Sequence, residues 1–209
     1  MMIFFGLGNN EEKYFNTKHN AGRKVLEKLI EKQELNLQKG EKFYFAKTKW
    51  QDLEVVYLYS TGYMNLSGEA LYSYLNYYKI KINPKHDTLV VLQDDSDQIE
   101  DNNKLILGGG TAGHRGIDSI YKHLNSLNYS QENVWRLKIG IRPEQNTLKS
   151  ETFVLSHFSN IDEINITNLV DLIEKNKSNF TSGSWDKIQQ NFNTKIIKSP
   201  PLTVLKNPL

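Results

Sequence analysis

The stretch M-I-F-F-G-L at residues 2–7 decides the fold class. It is apolar without alternation and contains a glycine near its end. A strand apolar on both sides must be covered on both sides, the mark of a central strand in an α/β sheet. A second run of this kind, D-T-L-V-V-L at residues 87–92, leads into Asp94, Asp95 and Asp97. Stripes with helical spacing lie between and beyond these runs: Ala21, Val25, Leu26, Leu29 and Ile30, then Leu66, Ala70, Leu71, Tyr74, Leu75 and Tyr78, then Ile117, Ile120, Tyr121, Leu124 and Leu127. Either Asn65 or Ser67 would cap the second of these helices.

Residues 42–49 and 54–60 read as two strands of a hairpin turning near Gln51-Asp52. Residues 104–107 read as a short strand, and 134–141 as a strand stopped by Pro143. A helix is expected over 161–175, with Ile161, Ile164, Leu169, Leu172 and Ile173 on or near one face, and a last helix around 185–195. The order βαββαβ(β)αβαα predicts an α/β fold: a single-domain three-layer sandwich, a mixed twisted β-sheet with helices on both faces. That domain would span 1–195, followed by a Pro/Lys-containing C-terminal tail over 196–209.

Composition narrows the chemistry. Hydrophobic residues at 38% and aromatics at 11% suffice for a packed core in a chain of 209 residues. With no cysteine, disulfides, thiolate metal sites and cysteine nucleophiles are excluded. No apolar run approaches the roughly 18 residues a membrane span needs. The apolar N-terminus is short and lacks a basic leader, so a cytoplasmic location is expected. The net charge of +2 names no polyanionic partner by itself. Arg occurs only at 23, 115, 136 and 142; the other cations are Lys, which binds phosphate as a point charge.

In such sheets chemistry collects beyond the C-terminal ends of strands. Three segments qualify: 8–20, 61–68, and 93–97 with 108–116. Gly6-Leu7-Gly8 invites a dinucleotide reading, but Glu11 stands where the third glycine is required. Gly108-Gly109-Gly110-Thr111-Ala112-Gly113 lacks the Gly-Lys-Ser/Thr ending of a P-loop; its glycines suit a backbone passing close to a ligand. The acidic run at 94–97 fits no EF-hand frame. Asp94, nearest the buried strand, is the one expected to turn inward. The five histidines form no H-E-x-x-H pair, and no G-x-S-x-G elbow exists. His19 stands apart, at a strand–loop–helix junction beside Asn20.

Several segments together resemble bacterial-type peptidyl-tRNA hydrolase. Residues 6–22, G-L-G-N-N-E-E-K-Y-F-N-T-K-H-N-A-G, resemble the family's G-L-G-N-P-G-x-x-Y-x-x-T-R-H-N-x-G. Y-M-N-L-S-G at 63–68 resembles F-M-N-x-S-G, V-L-Q-D-D-S-D at 91–97 resembles V-x-H-D-D-L-D, and G-G-G-T-A-G-H-R-G-I at 108–117 resembles G-G-G-x-x-G-H-N-G-L. R-L-K-I-G-I-R-P at 136–143, and Val154, Leu155 and Phe158, match later blocks in family order.

The resemblance implies hydrolysis of the ester joining a peptide to the 3′ ribose of tRNA, without metal or other cofactor. It makes His19 the general base and Asp94 its orienting carboxylate. Asn9 and Asn65 would hydrogen-bond around the water and the ester. Met64 would lie beneath the peptide and Tyr14 along the tRNA terminus, with Lys104 and Lys138 as exposed phosphate contacts. No other histidine is assigned a carboxylate partner. The partner would be tRNA, with no membrane and a monomeric chain. A non-hydrolytic RNA-binding relative is the alternative reading.

The departures from the pattern are specific. Pro-Gly becomes Asn10-Glu11, bringing a negative charge near the RNA entrance. Gln93 replaces a histidine, and the lid segment Gln98-Ile99-Glu100-Asp101 is acidic and lacks its proline. Arg115 stands where the family has Asn in G-H-N-G. Arg keeps donors but has no acceptor and carries fixed charge. Two orientations are open: inward beside His19, paired with Asp94, or outward towards phosphate. The cost of burying an unpaired guanidinium favours the outward one.

Overall fold

A computed structural model of the chain describes residues 1–145 and 149–193. The tail expected over 196–209 lies outside the described residues, as do the last two residues of the helix expected around 185–195. The elements run β1 (Met2–Gly6), α1 (Ala21–Lys32), β2 (Gln38–Lys39), β3 (Phe43–Trp50), β4 (Leu53–Ser60), α2 (Ser67–Tyr77), β5 (Thr88–Ile99), β6 (Lys104–Leu107), α3 (Arg115–Ser126), β7 (Val134–Arg142), α4 (Ser150–Phe153), α5 (Asn160–Lys175), α6 (Lys177–Thr181) and α7 (Trp185–Asn193).

One seven-stranded sheet has the order β2-β3-β4-β1-β5-β7-β6. Its centre, β4-β1-β5-β7, is parallel; β3 and β6 join antiparallel at either side, and β2 completes one edge. The apolar run at 2–7 explains itself here. Met2 and Phe4 enter the core under α1, α5, α6 and α7, while Ile3, Phe5 and Leu7 enter the core under α2 and α3. The expected three-layer sandwich is therefore the observed one. The hairpin between β3 and β4 turns at Gln51, whose φ of +56° is tolerated in a two-residue connection.

Three local expectations need correction. Ile161 and Ile164 are exposed, at 53% and 58%. The buried stripe of α5 is Ile166, Leu169, Val170 and Ile173 at helical spacing, extended one turn towards the N-terminus by the charged residue Asp162. Neither Asn65 nor Ser67 caps α2. Leu66 holds that position, because a 3-10 turn at Met64–Leu66 runs straight into the helix. Strand β5 also continues through the acidic stretch to Ile99, with its register against β7 shifting between Asp95 and Ile99.

The parallel centre brings the C-terminal ends of β1, β4, β5 and β7 to one side. There α1 starts so close to the sheet that a Cβ on Gly22 would fall on the carbonyl of Leu92. That carbonyl also accepts from the N–H of Leu7, so it cannot retreat freely. Gly22→Ala is expected to destabilise the protein by about 1–3 kcal/mol, as overpacking does. The urea midpoint would fall accordingly; an unchanged midpoint would show that α1 can slide away from β5.

Candidate active site

A cleft of about 610 Å³ opens at this side of the sheet. Its walls come from the segments after β1 and β4, the end of β5, the loop before α3, and β7 with residues 150–155. The three segments expected from sequence therefore converge; the fourth wall, with Val154 and Leu155, was not foreseen as part of the site.

At the centre lies the Asp94 carboxylate, only 3% exposed at the end of β5. His19 sits in a 3-10 turn, Lys18–Asn20, whose backbone is tied to the opposite wall: Lys18 N donates to Ser156 O and His19 N to Val154 O. His19 Nδ1 lies 2.9 Å from Asp94 Oδ1. His114 Nε2 lies 3.0 Å from the same oxygen, so His114 is a second histidine with this carboxylate partner, contrary to the sequence assignment. His114 also caps α3, accepting from Gly116 N at Nδ1 over 3.1 Å. A ring nitrogen that accepts an N–H carries no proton, so neutral His114 has its proton on Nε2 and donates it to Asp94. His19 likewise donates from Nδ1, which leaves its Nε2 without a hydrogen-bond partner among the described residues.

His19, Asp94 and His114 lie close enough together to share a metal ion. The cap argues against that use. With Nδ1 filled by Gly116 N–H, His114 Nε2 has no lone pair to offer a cation unless the cap breaks.

Burial pulls the His19 pKa down, but the charge and hydrogen bond of Asp94 outweigh it and leave the imidazole above its ordinary value; Arg115 opposes this rise. Burial pushes the Asp94 carboxyl up, yet His19 and His114 together hold it well below the usual carboxylate range. The carboxylate thus stays ionised wherever the protein is folded near neutrality.

Asn9 is fixed on several sides. Its N–H donates to Asn20 Oδ1, its carbonyl accepts from Asn20 Nδ2 and Arg23 Nη1, and its Oδ1 accepts from Met64 N at 2.8 Å. Its Nδ2 makes no hydrogen bond among the described residues and lines the cleft with Asn65, Met64 and Tyr14.

The cations divide. Arg115 is exposed, lines the cleft, and makes no hydrogen bond or ion pair among the described residues, so the pairing with Asp94 is not formed. Lys138 is not an exposed contact: it lies 2.7 Å from the buried carboxylate of Asp95 and is 21% exposed. Lys104 stands opposite it across the β6–β7 ladder, half-buried and outside the cleft lining. Arg136, fully buried, donates to Gln93 Oε1 at 2.8 Å and to the carbonyls of Gly110 (2.6 Å) and Gly109 (3.4 Å). Gln93 thus serves as an acceptor for the arginine that holds the glycine loop.

The other departures are also bonded. Glu11 accepts from Tyr63 Oη and pairs with Lys13 at 2.7 Å, so its charge at the entrance is met locally. Buried Lys18 reaches Asp162 at 2.5 Å and Glu100 at 3.3 Å. The acidic lid is therefore anchored by an ion pair beside His19. Sequence reasoning missed His114, Arg136 and Asp162. His114 was within reach, as a histidine ending a glycine loop just before a helix; for the other two, the partners Gln93 and Lys18 are distant in sequence and give no local signal.

Comparison with known proteins shows the family of the chain. The family model described as peptidyl-tRNA hydrolase matches residues 3–200. A peptidyl-tRNA hydrolase of Mesoplasma florum is 35% identical over 189 residues, covering 90% of this chain and 94% of that protein. One from Thermosynechococcus vestitus is 38% identical over 165 residues, covering 75% and 76%. The crystal structure of peptidyl-tRNA hydrolase from Acinetobacter baumannii superposes with a TM-score of 0.78 at 23% identity, over 93% of this chain and 95% of that one, a likeness of fold.

The opposed influences on His19 can be separated. Asp94→Asn removes the one that raises the pKa and keeps the burial that lowers it. The imidazole should then titrate below about 6.5, its ordinary value, in a proton NMR titration. A pKa that stays above that value would mean Asp94 does not hold the ring.

Proposed function

This chain belongs to the peptidyl-tRNA hydrolase family, and we propose that it cleaves peptidyl-tRNA by water attack with His19 as general base. The observation that carries this is the His19 ring, held through Nδ1 on a buried, ionised Asp94, with Nε2 left unbonded at the cleft. Nε2 takes a proton from a water as its oxygen attacks the ester carbonyl. The resulting imidazolium is stabilised by Asp94. The carbonyl electrons move to oxygen, and the free amide N–H of Asn9, with Asn65 beside it, donates to that oxyanion. When the intermediate collapses, the bond to the ribose 3′ oxygen breaks, and the imidazolium returns its proton to the leaving alkoxide. His114 is a positioning residue: its Nε2–H fixes the oxygen that orients His19.

Tyr14 and Met64 line the walls for the tRNA terminus and the peptide. Lys104 and Lys138, side by side on β6 and β7, give the acceptor stem its phosphate contacts. Lys138 must share its charge with Asp95 while doing so. We read the protein as a monomer acting in the cytoplasm; the lack of cysteine fits a reducing compartment. No described helix is long and apolar enough to cross a membrane. Arg115 in place of the family's Asn is the observation favouring a non-hydrolytic RNA-binding relative, and single-turnover hydrolysis of an N-blocked aminoacyl-tRNA decides between the two.

In that assay His19→Ala should lose ~10²–10⁴-fold in turnover, the contribution of a positioned acid–base group. Near-wild-type turnover in a folded His19→Ala variant would remove it as the base.

The two lysines should separate in a second experiment. Lys104→Ala should weaken tRNA binding and flatten its salt dependence by about one phosphate contact. Lys138→Ala should do the same and also destabilise the protein by on the order of 2 kcal/mol, because Asp95 is left buried without its cation. Equal stability of the two variants would show that the Lys138–Asp95 pair contributes nothing to the fold.

A further inference from the structure

We infer that Arg23 is a positioning residue for the reaction: its guanidinium clamps the turn at Asn9-Asn10 and so holds the Asn9 side-chain amide where the oxyanion forms. This deepens the hydrolase reading above and rests on it.

The turn needs a restraint that its own residues do not supply. The family pattern has Pro-Gly after the first Asn, and a proline ring fixes φ. Here the residues are Asn10-Glu11, whose backbone carries no such lock. Hydrogen bonds take its place. Asn10 N donates to Gly62 O at 3.0 Å and Asn10 Nδ2 to Thr61 O at 3.1 Å, which ties the turn to the segment after β4. From α1, Arg23 Nη1 donates to Asn10 Oδ1 at 2.7 Å and to Asn9 O at 3.1 Å. One nitrogen thus uses both of its protons on successive residues of the turn. Asn20 Nδ2 donates to the same Asn9 carbonyl, which fills both of its lone pairs.

The guanidinium is itself held. Arg23 N donates to Leu7 O at 2.9 Å, which roots the residue just beyond β1. Its stem runs against Gly8, where an added Cβ would come within 2.8 Å of Arg23 Cβ. The guanidinium carbon lies 5.0 Å from the centre of the Phe15 ring and 4.8 Å from that of Tyr59. Nε donates to Glu27 Oε1 at 2.7 Å, one turn along α1. A planar cation held in this way offers its N–H groups in fixed directions, which a lysine ammonium does not.

Arg23 is buried and does not line the cleft. The charges that act on His19 are those of Asp94 and Arg115. The route from Arg23 to the reaction therefore runs through Asn9. Met64 N takes the Oδ1 of that residue, and Nδ2 is the donor left for the oxyanion.

Steady-state hydrolysis of an N-acetylated aminoacyl-tRNA by Arg23→Met tests this, since methionine keeps an apolar stem between the two rings and removes the donors. The kcat should fall about tenfold, part of the ~10²–10³-fold lost when an oxyanion donor is removed outright. The KM should stay within about twofold, because the donor acts on a charge present only in the transition state. The acidic limb of the pH–rate profile should stay in place, whereas a general loosening of the loop would displace His19 and move that limb. On an Asn9→Ala background the same substitution should cost less than about twofold in kcat, since the amide it positions is gone. A full loss on that background would overturn the inference while leaving the hydrolase reading intact, as would an unchanged kcat or a shifted limb in Arg23→Met alone. If Arg23→Met does not fold, Asn10→Ala replaces it in the same cycle, removing the acceptor on the turn and leaving α1 intact. A lower kcat that vanishes on Asn9→Ala would support the clamp, and a wild-type kcat would overturn it. A wild type without turnover would overturn the hydrolase reading; the Asn9 side-chain amide resonances, sharp in the wild type and broadened in the variant, still test the clamp, and equal sharpness in both overturns it.

Discussion

A single carboxylate oxygen, Asp94 Oδ1, receives two imidazole N–H groups, and the surroundings of the site are arranged to keep it ionised while buried. A lone carboxylate there would take up a proton or disrupt the strand. Two histidines from different segments hold it instead, one after β1 and one before α3. Each of those rings is fixed in turn by backbone: His19 through Val154 O on its own N–H, and His114 through Gly116 N on its side chain. The order of the parallel strands is what lets all these segments meet, since β5 lies between β1 and β7 and its end faces both loops.

The second constraint is the ion cluster next to His19. Lys18, buried, joins the lid residue Glu100 to Asp162 in the first turn of α5, and Asp162 also closes a capping box with Ser159. One ammonium therefore ties the base's own turn to the lid and to a helix start. Burial and the nearby Asp162 charge push the Glu100 pKa up, against the pull of Lys18. An acidic lid without proline is thus restrained by charge, where the family pattern would restrain it by backbone. Arg142 adds to this by donating to Ser96 O at 2.5 Å, while Glu100 N donates to Arg142 O.

The layers and the location of the site were legible in the sequence because they follow from burial. A strand with apolar residues on both faces has to be central, and central parallel strands put their loops on one side. Asp94 and His19 were legible for the same reason, as polar residues next to segments that had to be buried. What could not be read was pairing between charges far apart in sequence. Asp162 looks like a solvent-facing residue of α5 until Lys18 is known to meet it, and with Asp162 turned inward Ile161 and Ile164 are left exposed. Lys138 looks like a free cation until Asp95 is known to lie beside it. His114 was assigned no carboxylate partner because the sequence of the glycine loop does not show how far the chain turns back after β6.

Arg136 and Gln93 show how a local departure can leave a site intact. A buried guanidinium needs acceptors, and here they are the carbonyls of Gly109 and Gly110 and the side-chain oxygen of Gln93. Gly109 takes φ +88°, a conformation that glycine adopts without strain, so its carbonyl can face the arginine. The same carbonyl accepts from Tyr121 Oη, which fastens the loop to α3 as well. A neutral histidine at position 93 could offer a ring nitrogen to the arginine, whereas an amide offers an oxygen and cannot acquire a charge. The exchange therefore removes one titratable group beside Asp94 while keeping the acceptor that Arg136 requires. The Asp94 carboxylate is met by the two imidazoles. Of these His114 has both ring nitrogens engaged, Nδ1 by Gly116 N–H and Nε2 by Asp94, whereas His19 keeps its Nε2 unbonded at the cleft.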